Sequence, residues 1–218
     1  MKYKYVIFDL DGTLLDTSKG IIKAIDYTIQ KLGLSDLPQN IKELFIGPPI
    51  YDSFSKYYGM TAEQSGEATE VFRNVYKDKY LLEALPYDGI FEMLSGLNQQ
   101  QCKLAVATNK RNDYAQNLLN YFGFDKYFEC MIGSDAQNKQ RKSDIIRECL
   151  HRLKVDKYDD AVMIGDTLYD YFGAYEAGID FVGVKYGFGF KAEKEIAMIE
   201  PCKVFDDISG LNVYLVNL

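Results

Sequence analysis

The chain has 218 residues, of which 25 are basic and 32 acidic, and its formal net charge is −7. Hydrophobic residues make up 47% and charged residues 26%, a composition that excludes disordered and collagen-like sequences. The acidic balance argues against binding of a nucleic-acid polymer. Because no apolar run approaches the ~20 residues that cross a bilayer, we expect no association with a membrane.

The counts of histidine and cysteine narrow the possible chemistry further. A single histidine nearly excludes Ser–His catalysis and a multi-histidine zinc site. The four cysteines have no C-x-x-C pair, which is typical of free thiols in a reducing cytoplasm. The first residues turn acidic too early for a signal peptide, so we expect a cytoplasmic protein. Its chemistry must then depend on carboxylates, hydroxyls and lysines.

Short apolar runs alternate along the chain with stretches of helical period. Strands are predicted at 3–8, 103–107, 127–132, 161–164, 181–184 and 202–205. Helices are predicted near 87–99, 111–122, 142–153, 170–177 and 190–199. Apolar residues at consecutive positions are typical of buried parallel strands. The alternation therefore predicts an α/β fold with a doubly wound, mainly parallel sheet.

One interval, residues 17–86, breaks this alternation because it shows helical periodicity and no convincing strand. Roughly 70 residues is far longer than a βα connection of ~2–6 residues. We interpret the interval as an all-helical insertion. The α/β core would then consist of residues 1–16 and 87–218.

The first predicted strand ends in two aspartates, Asp9 and Asp11, which are followed by Gly12 and Thr13. Ligands of open α/β sheets bind beyond the carboxyl ends of the strands, so both aspartates lie where a site is expected. Side chains two positions apart on an extended segment point the same way, and Gly12 permits a tight turn. Two such carboxylates need a cation or a proton between them. A simple strand-terminating turn is the alternative.

Another apolar strand ends at Gly165-Asp166, and Asp170 follows in the first turn of a predicted helix. Residues at i and i+4 share a helix face, so Asp170 can lie beside the same cavity as Asp166. An acid in a first turn also suits the helix dipole, which is the alternative for Asp170. Two strands that present acids at one sheet edge indicate a site for a hard cation, and we expect Mg²⁺.

Thr108 and Asn109 follow the strand predicted at 103–107 and precede a predicted helix. Their hydroxyl and amide groups can bind an oxyanion together with the backbone N–H groups of the helix N-terminus. The alternative for this pair is an ordinary helix N-cap.

A basic cluster, Lys139, Arg141 and Lys142, lies where the next helix is predicted to begin. Basic residues in such a place are commonly solvated surface charges. One Mg²⁺ and one lysine would bring about +3 to a pocket of four carboxylates, which makes binding of a phosphate dianion feasible. This combination predicts phosphoryl transfer to an aspartate.

The set of motifs resembles the haloacid dehalogenase superfamily in order and spacing along nearly the whole chain. The matching motifs are Asp-x-Asp-Gly-Thr at 9–13, Thr-Asn at 108–109, a lysine near 142 and Gly-Asp-x-x-x-Asp at 165–170. The insertion resembles the α-helical cap of the phosphoglycolate phosphatase-like branch. The resemblance implies a Rossmann-like core and an inserted all-α cap that selects the substrate.

The resemblance implies roles for the three aspartates at the strand ends. Asp9 would be the nucleophile that forms an aspartyl-phosphate. Asp11 would be the general acid/base that protonates the leaving oxygen and then activates water. Mg²⁺ would be held by the Asp9 carboxylate, the Asp11 backbone carbonyl and Asp166.

The resemblance also implies how the phosphoryl group is bound. Thr108 and Asn109 would hold it, a lysine would neutralise it, and Asp170 would orient that lysine or a metal-bound water. Lys142 matches the family pattern Lys-x-x-hydrophobic-hydrophobic better than Lys139, which is the alternative.

Within the insertion, Phe45, Gly47 and Pro48 resemble a loop that family members direct at the active site. The alternative is a helix–helix turn, since Gly-Pro-Pro breaks helices whatever the function.

Four tyrosines of the insertion could contact a substrate base or sugar, although such residues more often pack in a core. They are Tyr51, Tyr57, Tyr58 and Tyr76.

These features together predict a Mg²⁺-dependent phosphatase that acts on a small phosphorylated metabolite, with phosphoglycolate and nucleoside 5′-monophosphates as leading substrates. We expect a monomer or a homodimer. Two other classes are a non-catalytic regulatory protein that binds Mg²⁺ and phosphate, and a phosphotransferase or mutase of the same superfamily. The mutase is disfavoured because no arginine follows Gly47.

A loop at Gly187-Phe-Gly189 resembles a dinucleotide fingerprint, but too little chain follows it for that fold. We therefore interpret it as a chance Gly-rich loop.

Overall fold

A computed structural model of the protein describes residues 2–135, 140–199 and 201–217. Six parallel strands form one sheet in the order β5-β4-β1-β6-β7-β8. The strands are β1 (Tyr5–Phe8), β4 (Lys103–Arg111), β5 (Cys130–Ser134), β6 (Ala161–Gly165), β7 (Asp180–Val184) and β8 (Lys203–Phe205). The predicted parallel α/β sheet is confirmed.

Helices pack on both faces of this sheet because successive strand residues alternate between two apolar cores. Val6 and Phe8 of β1 belong to the core of one face, whereas Ile7 belongs to the core of the other. The first core includes residues of α5 (Ile90–Gln99), α6 (Asn112–Tyr121) and α10 (Ile208–Asn217). The second includes residues of α7 (Lys142–Leu153) and α8 (Leu168–Ala177). The sheet is therefore doubly wound, as predicted.

Between residues 18 and 80 every regular element is helical. This helical segment contains α1 (Ser18–Lys31), α2 (Gln39–Lys42), a 3₁₀ turn (Glu43–Phe45), α3 (Ile50–Tyr58), α4 (Ala62–Val75) and a π-helical turn (Tyr76–Tyr80). A two-residue antiparallel pair, β2 (Leu15–Asp16) and β3 (Leu85–Pro86), joins its two ends. The chain therefore leaves and re-enters the α/β core at one place, where the predicted limits 17 and 86 also lie.

The structure differs from the predicted elements mainly at element ends. Strand β4 runs on to Arg111, with an irregular register after Thr108, so that the strand carries polar residues past its apolar part. Helix α9 (Glu193–Ala197) is shorter than the predicted 190–199. Helix α10 was not predicted; it buries Ile208, Leu211 and Leu215 in the core that it shares with α5.

In the part of the chain that the structure describes, no helix has the length and apolarity needed to span a membrane.

Candidate active site

Two of the predicted site residues, Asp9 and Asp11, directly follow β1 and are both buried. The Asp9 backbone N–H donates a hydrogen bond of 2.9 Å to the carbonyl of Ile164 in the adjacent strand β6. Gly12 has a φ of +84°, and a methyl group at this position would overlap the Asp166 carboxylate. Glycine is therefore required here both by the backbone turn and by the approach of a carboxylate.

The buried acids Asp9, Asp166 and Asp170 converge at this edge of the sheet. Each offers a carboxylate oxygen, and the three oxygens lie within 4.8 Å of one another. Asp166 follows β6, the neighbour of β1, while Asp170 lies in the first turn of α8. The convergence follows from the parallel pairing of β1 and β6, which brings their carboxyl ends together.

Lys142, the first residue of α7, joins two of these acids. Its Nζ lies 2.5 Å from Asp9 Oδ1 and 2.6 Å from Asp170 Oδ1, and its side chain is 4% exposed. The alternative, Lys139, lies outside the described residues. A methyl group on Gly173 of α8 would lie 2.6 Å from Cγ of Lys142, so this glycine allows the lysine stem to pass.

Burial and crowding of like charges dominate the electrostatics of the cluster. Burial raises the pKa of Asp9 to about 7, with Asp170 and Asp11 adding to the rise and Lys142 opposing it. Burial, together with the charges of Asp170 and Asp9, raises the pKa of Asp166 well above its usual range. Burial alone would lower the pKa of Lys142, but Asp170 and Asp9 outweigh it and raise that pKa. The cluster thus holds more negative charge than one lysine compensates, which favours a bound cation.

Asp166 gives a specific test of whether the residues fit a metal ion. Its Oδ2 accepts hydrogen bonds from the backbone N–H groups of Phe188 (2.6 Å) and Gly189 (3.2 Å). Its Oδ1 is buried and has no hydrogen-bond partner among the described residues. A buried carboxylate oxygen without a donor is costly unless a cation meets it. An all-oxygen donor set with one such oxygen fits a hard divalent ion, Mg²⁺.

The Asp11 carboxylate has partners of its own, Thr17 and Lys110. Its Oδ1 accepts a hydrogen bond of 2.6 Å from the Thr17 hydroxyl and lies 3.1 Å from Nζ of Lys110. The implied contact of Asp11 with metal was through its backbone carbonyl, which leaves this carboxylate available for another role. Thr13 is buried nearby, and its carbonyl accepts a hydrogen bond of 3.1 Å from the Tyr186 hydroxyl.

Thr108 and Asn109 lie at the end of the apolar part of β4, the other neighbour of β1. Thr108 is buried, and its hydroxyl accepts a hydrogen bond of 3.1 Å from the Lys110 backbone N–H. Asn109 lines both a small cavity above Asp11 and a larger groove beside Lys142. Thr108 and Asn109 therefore lie at the same carboxyl edge of the sheet as the acids.

The small cavity has a volume of 60 Å³ and lies between the helical segment and the core. Its lining includes Phe45, Gly47 and Pro48 from the segment and Asp11 and Asn109 from the core. All three segment residues predicted to face the active site thus line a cavity that reaches Asp11. A methyl group on Gly47 would lie 3.2 Å from Cγ2 of Thr167, so the segment contacts the core at this point.

Of the four tyrosines singled out in the helical segment, three have contacts within that segment. Tyr57 stacks on Phe45, and the hydroxyl of Tyr58 donates to the carbonyl of Ser35. The Tyr51 hydroxyl donates to the Ala62 carbonyl at 3.5 Å. Tyr76 also stacks on a ring of the segment but differs in being buried and in contacting Lys110 of the core.

Two features of the site were missed by sequence reasoning. Lys110, adjacent to the Thr-Asn pair, contacts both Asp11 and Tyr76, although its type and position gave no signal beyond that of a surface charge. The loop at Gly187-Phe-Gly189, interpreted as a chance Gly-rich loop, binds Asp166 through backbone N–H groups. A methyl group on Gly189 would overlap the backbone of Asp166, which explains the glycine.

Buried carboxylates paired with a lysine thus lie at the carboxyl edge of a doubly wound sheet, where α/β proteins bind their ligands. The family model for haloacid dehalogenase-like hydrolases matches residues 6–184. The chain belongs to this family, which confirms both the resemblance and the prediction of a hydrolase.

Relatives and solved structures extend this result over the full chain. The chain is 32% identical over 216 residues to a 5′-nucleotidase of Pseudomonas aeruginosa, covering 99% of this chain and 96% of that protein. The crystal structure of a "predicted phosphatase" from Clostridium acetobutylicum has a TM-score of 0.93 at 34% identity and full coverage of both chains. That of a "predicted phosphoglycolate phosphatase" from Haemophilus somnus has a TM-score of 0.83 at 25% identity, with 99% of each chain covered.

Proposed function

We propose that this protein is a Mg²⁺-dependent phosphatase that hydrolyses small-molecule phosphate monoesters through a phosphorylated Asp9. The observation that carries the proposal is the joint placement of Asp9, Asp166, Asp170 and Lys142 at one buried sheet edge. A purely structural ion pair does not explain why Asp166 Oδ1 is buried without a hydrogen-bond partner among the described residues. A bound metal ion does explain it, because the ion would be the partner of that oxygen. Both the 5′-nucleotidase and the phosphatase similarities support the same class of reaction.

Asp9, Asp166 and the Asp11 carbonyl would hold Mg²⁺, with Asp170 close enough to bind it directly or to orient Lys142. The ion would supply positive charge against the phosphoryl oxygens. Lys142, which contacts Asp9, adds a second positive charge. Thr108 and Asn109 supply hydrogen-bond donors to the phosphoryl oxygens. The phosphate would therefore be bound by the charges of Mg²⁺ and Lys142. Because the site is buried, water screens these charges little and their attraction for the phosphate is strong.

The reaction would proceed in two steps at these residues. An Asp9 carboxylate oxygen bonds to phosphorus as the bond from phosphorus to the ester oxygen breaks, and Asp11 gives its proton to the departing oxygen. Asp11, now ionised, takes a proton from a water that attacks phosphorus and breaks the bond to Asp9. Inorganic phosphate leaves, and both aspartates return to their starting states.

The small cavity and the larger groove beside the site differ in size, and each suits one of the two leading substrate classes. The 60 Å³ cavity above Asp11 has room for a few water-sized groups, which suits a small leaving group such as glycolate. The groove beside Lys142 has a volume of 540 Å³ and includes the half-exposed rings of Tyr169 and Phe172, which suit a nucleoside. We propose the helical segment as the part of the protein that selects between them. The free thiols of the described cysteines are consistent with action in the cytoplasm.

The proposed function is tested by phosphate release from phosphoglycolate, a nucleoside 5′-monophosphate, a sugar phosphate and pyrophosphate, with Mg²⁺ and with excess EDTA. We expect release with Mg²⁺ and less than about 1% of it with EDTA, because a removed ion takes several kcal/mol of charge stabilisation with it. Preference for phosphoglycolate would assign the leaving group to the cavity, and preference for the nucleotide to the groove. Binding of Mg²⁺ without release from any ester would instead favour the regulatory protein.

Gly173→Ala should lower turnover on the order of 10²-fold because its methyl group would displace the stem of Lys142, and a shift of about 1 Å in a catalytic group has that effect. The matched control is Gly96→Ala in α5, where an added methyl group meets nothing within 4 Å. That variant should keep full activity and gain roughly 0.5–1 kcal/mol of stability. Phosphate release and thermal denaturation measure the two effects, and equal activities would contradict the assigned role of Gly173.

A further inference from the structure

A buried ammonium that none of the proposed steps uses lies directly against Asp11. The Lys110 side chain is 7% exposed, and its Nζ is 3.1 Å from Asp11 Oδ1 and 3.1 Å from the Tyr76 hydroxyl. Burial opposes the charge of Lys110, but Asp11 and Tyr76 outweigh it and raise the pKa of this lysine. Burial of a lysine is expensive and gives little net stability even when it is paired, so its presence calls for another explanation.

The partner on the other side, Tyr76, belongs to the helical segment and not to the α/β core. It begins the π-helical turn that follows α4, and its ring is 2% exposed. The Lys110 ammonium also lies 4.9 Å from the centroid of this ring, so both the hydroxyl and the ring of Tyr76 hold it. Turns of the π type are rare and occur frequently at functional sites.

The hydrogen bonds of the Asp11 side chain within the described residues all go to Oδ1. Thr17 donates to it at 2.6 Å, and Lys110 contacts it at 3.1 Å. These two donors hold the carboxyl group through Oδ1 and leave Oδ2 without a hydrogen bond among the described residues, and Asp11 lines the small cavity.

We propose that Lys110, held by Tyr76, is a positioning residue for Asp11. It fixes the carboxyl group so that the second oxygen gives its proton to the departing ester oxygen. Because Tyr76 lies on the helical segment, the acid is correctly placed only when this segment is packed on the core. This inference rests on the proposed function, in which Asp11 is the general acid/base.

Leaving groups of different basicity separate this role from a purely structural one. An alkyl oxygen leaves poorly without a proton, whereas p-nitrophenolate leaves well without one, so a misplaced acid slows only the alkyl ester strongly. Lys110→Met should lower kcat for the best alkyl phosphate on the order of 10²-fold and for p-nitrophenyl phosphate by less than about tenfold. KM should change little, because Lys110 does not touch the phosphoryl group.

A second variant protects the test against a failure of Lys110→Met to fold. Tyr76→Phe removes only the hydroxyl and keeps the ring on the Lys110 ammonium. It should show a smaller loss with the same preference for the good leaving group. The matched control is Tyr114→Phe, because Tyr114 lines the same cavity and contacts the Tyr76 ring, while its hydroxyl donates to the Arg73 carbonyl. The control should lose both activities equally or not at all.

Equal losses on both esters in Lys110→Met and Tyr76→Phe would overturn the positioning role and leave Lys110 as a structural contact. This outcome is distinct from failure of the proposed function, which would appear as wild-type protein inactive towards both esters. A loss confined to KM would also overturn the inference, since it would place Lys110 on the substrate.

Discussion

Asp9→Asn should abolish turnover, by at least about 10³-fold, while the protein remains folded. An amide nitrogen and oxygen cannot replace the carboxylate as a nucleophile, and losses of this size or larger accompany removal of catalytic nucleophiles. The fold should survive because Lys142 keeps its contact of 2.6 Å with Asp170. Phosphate release from the best ester, together with circular dichroism, measures both effects.

The control for this substitution is Asp206→Asn. Asp206 is an exposed partner of Lys185 on the surface, so its neutralisation should leave turnover unchanged. An Asp9→Asn variant that keeps near-wild-type rates would remove Asp9 as the nucleophile and with it the two-step reaction.

Lys142→Met should lower turnover by on the order of 10²–10³-fold or more, because a buried charge aimed at the phosphoryl oxygens stabilises the transition state by several kcal/mol. It should also destabilise the metal-free protein by about 3 kcal/mol, since the acids beside it lose a buried cationic partner. Added Mg²⁺ should restore much of this stability by neutralising the same acids. Phosphate release and thermal denaturation, each with and without Mg²⁺, measure the three effects.

Lys139→Met is the comparison for this substitution, because Lys139 was the alternative to Lys142 in the sequence. The contact between Lys142 and Asp9 predicts that only Lys142→Met is strongly impaired. Loss of activity in Lys139→Met alone would show that the assignment of the lysine is wrong.

The sequence predicted the acids of the site well because their positions follow from the topology. Asp9 and Asp166 each end an apolar run, and the parallel pairing of β1 with β6 brings those ends together. The lysine was predictable only through the resemblance, since basic residues at 139, 141 and 142 are equivalent by charge alone. Among the described residues, the first turn of α7 directs Lys142 into the cluster, whereas the Arg141 side chain is 67% exposed.

The contacts made by the rest of the site could not be predicted, because they join residues far apart in the sequence without a local pattern. Lys110 meets Tyr76 across 34 positions, and Asp166 meets Phe188 across 22. Neither pair has a periodicity or spacing that marks it. The paired strands β2 and β3 have only two residues each, which is too short for an alternating pattern to appear.

The two-step reaction is tested most sharply by a search for the phosphoryl group on Asp9 itself. In Asp11→Asn, p-nitrophenyl phosphate and Mg²⁺ should still form the aspartyl-phosphate, because this leaving group needs little acid assistance, but its hydrolysis should stall without a base. After an acid quench, mass spectrometry of the digested protein should find one phosphoryl group on the peptide that contains Asp9, and none in an Asp9→Asn/Asp11→Asn double variant. Release of p-nitrophenolate with no phosphoryl group on that peptide would contradict the account and indicate direct attack by water.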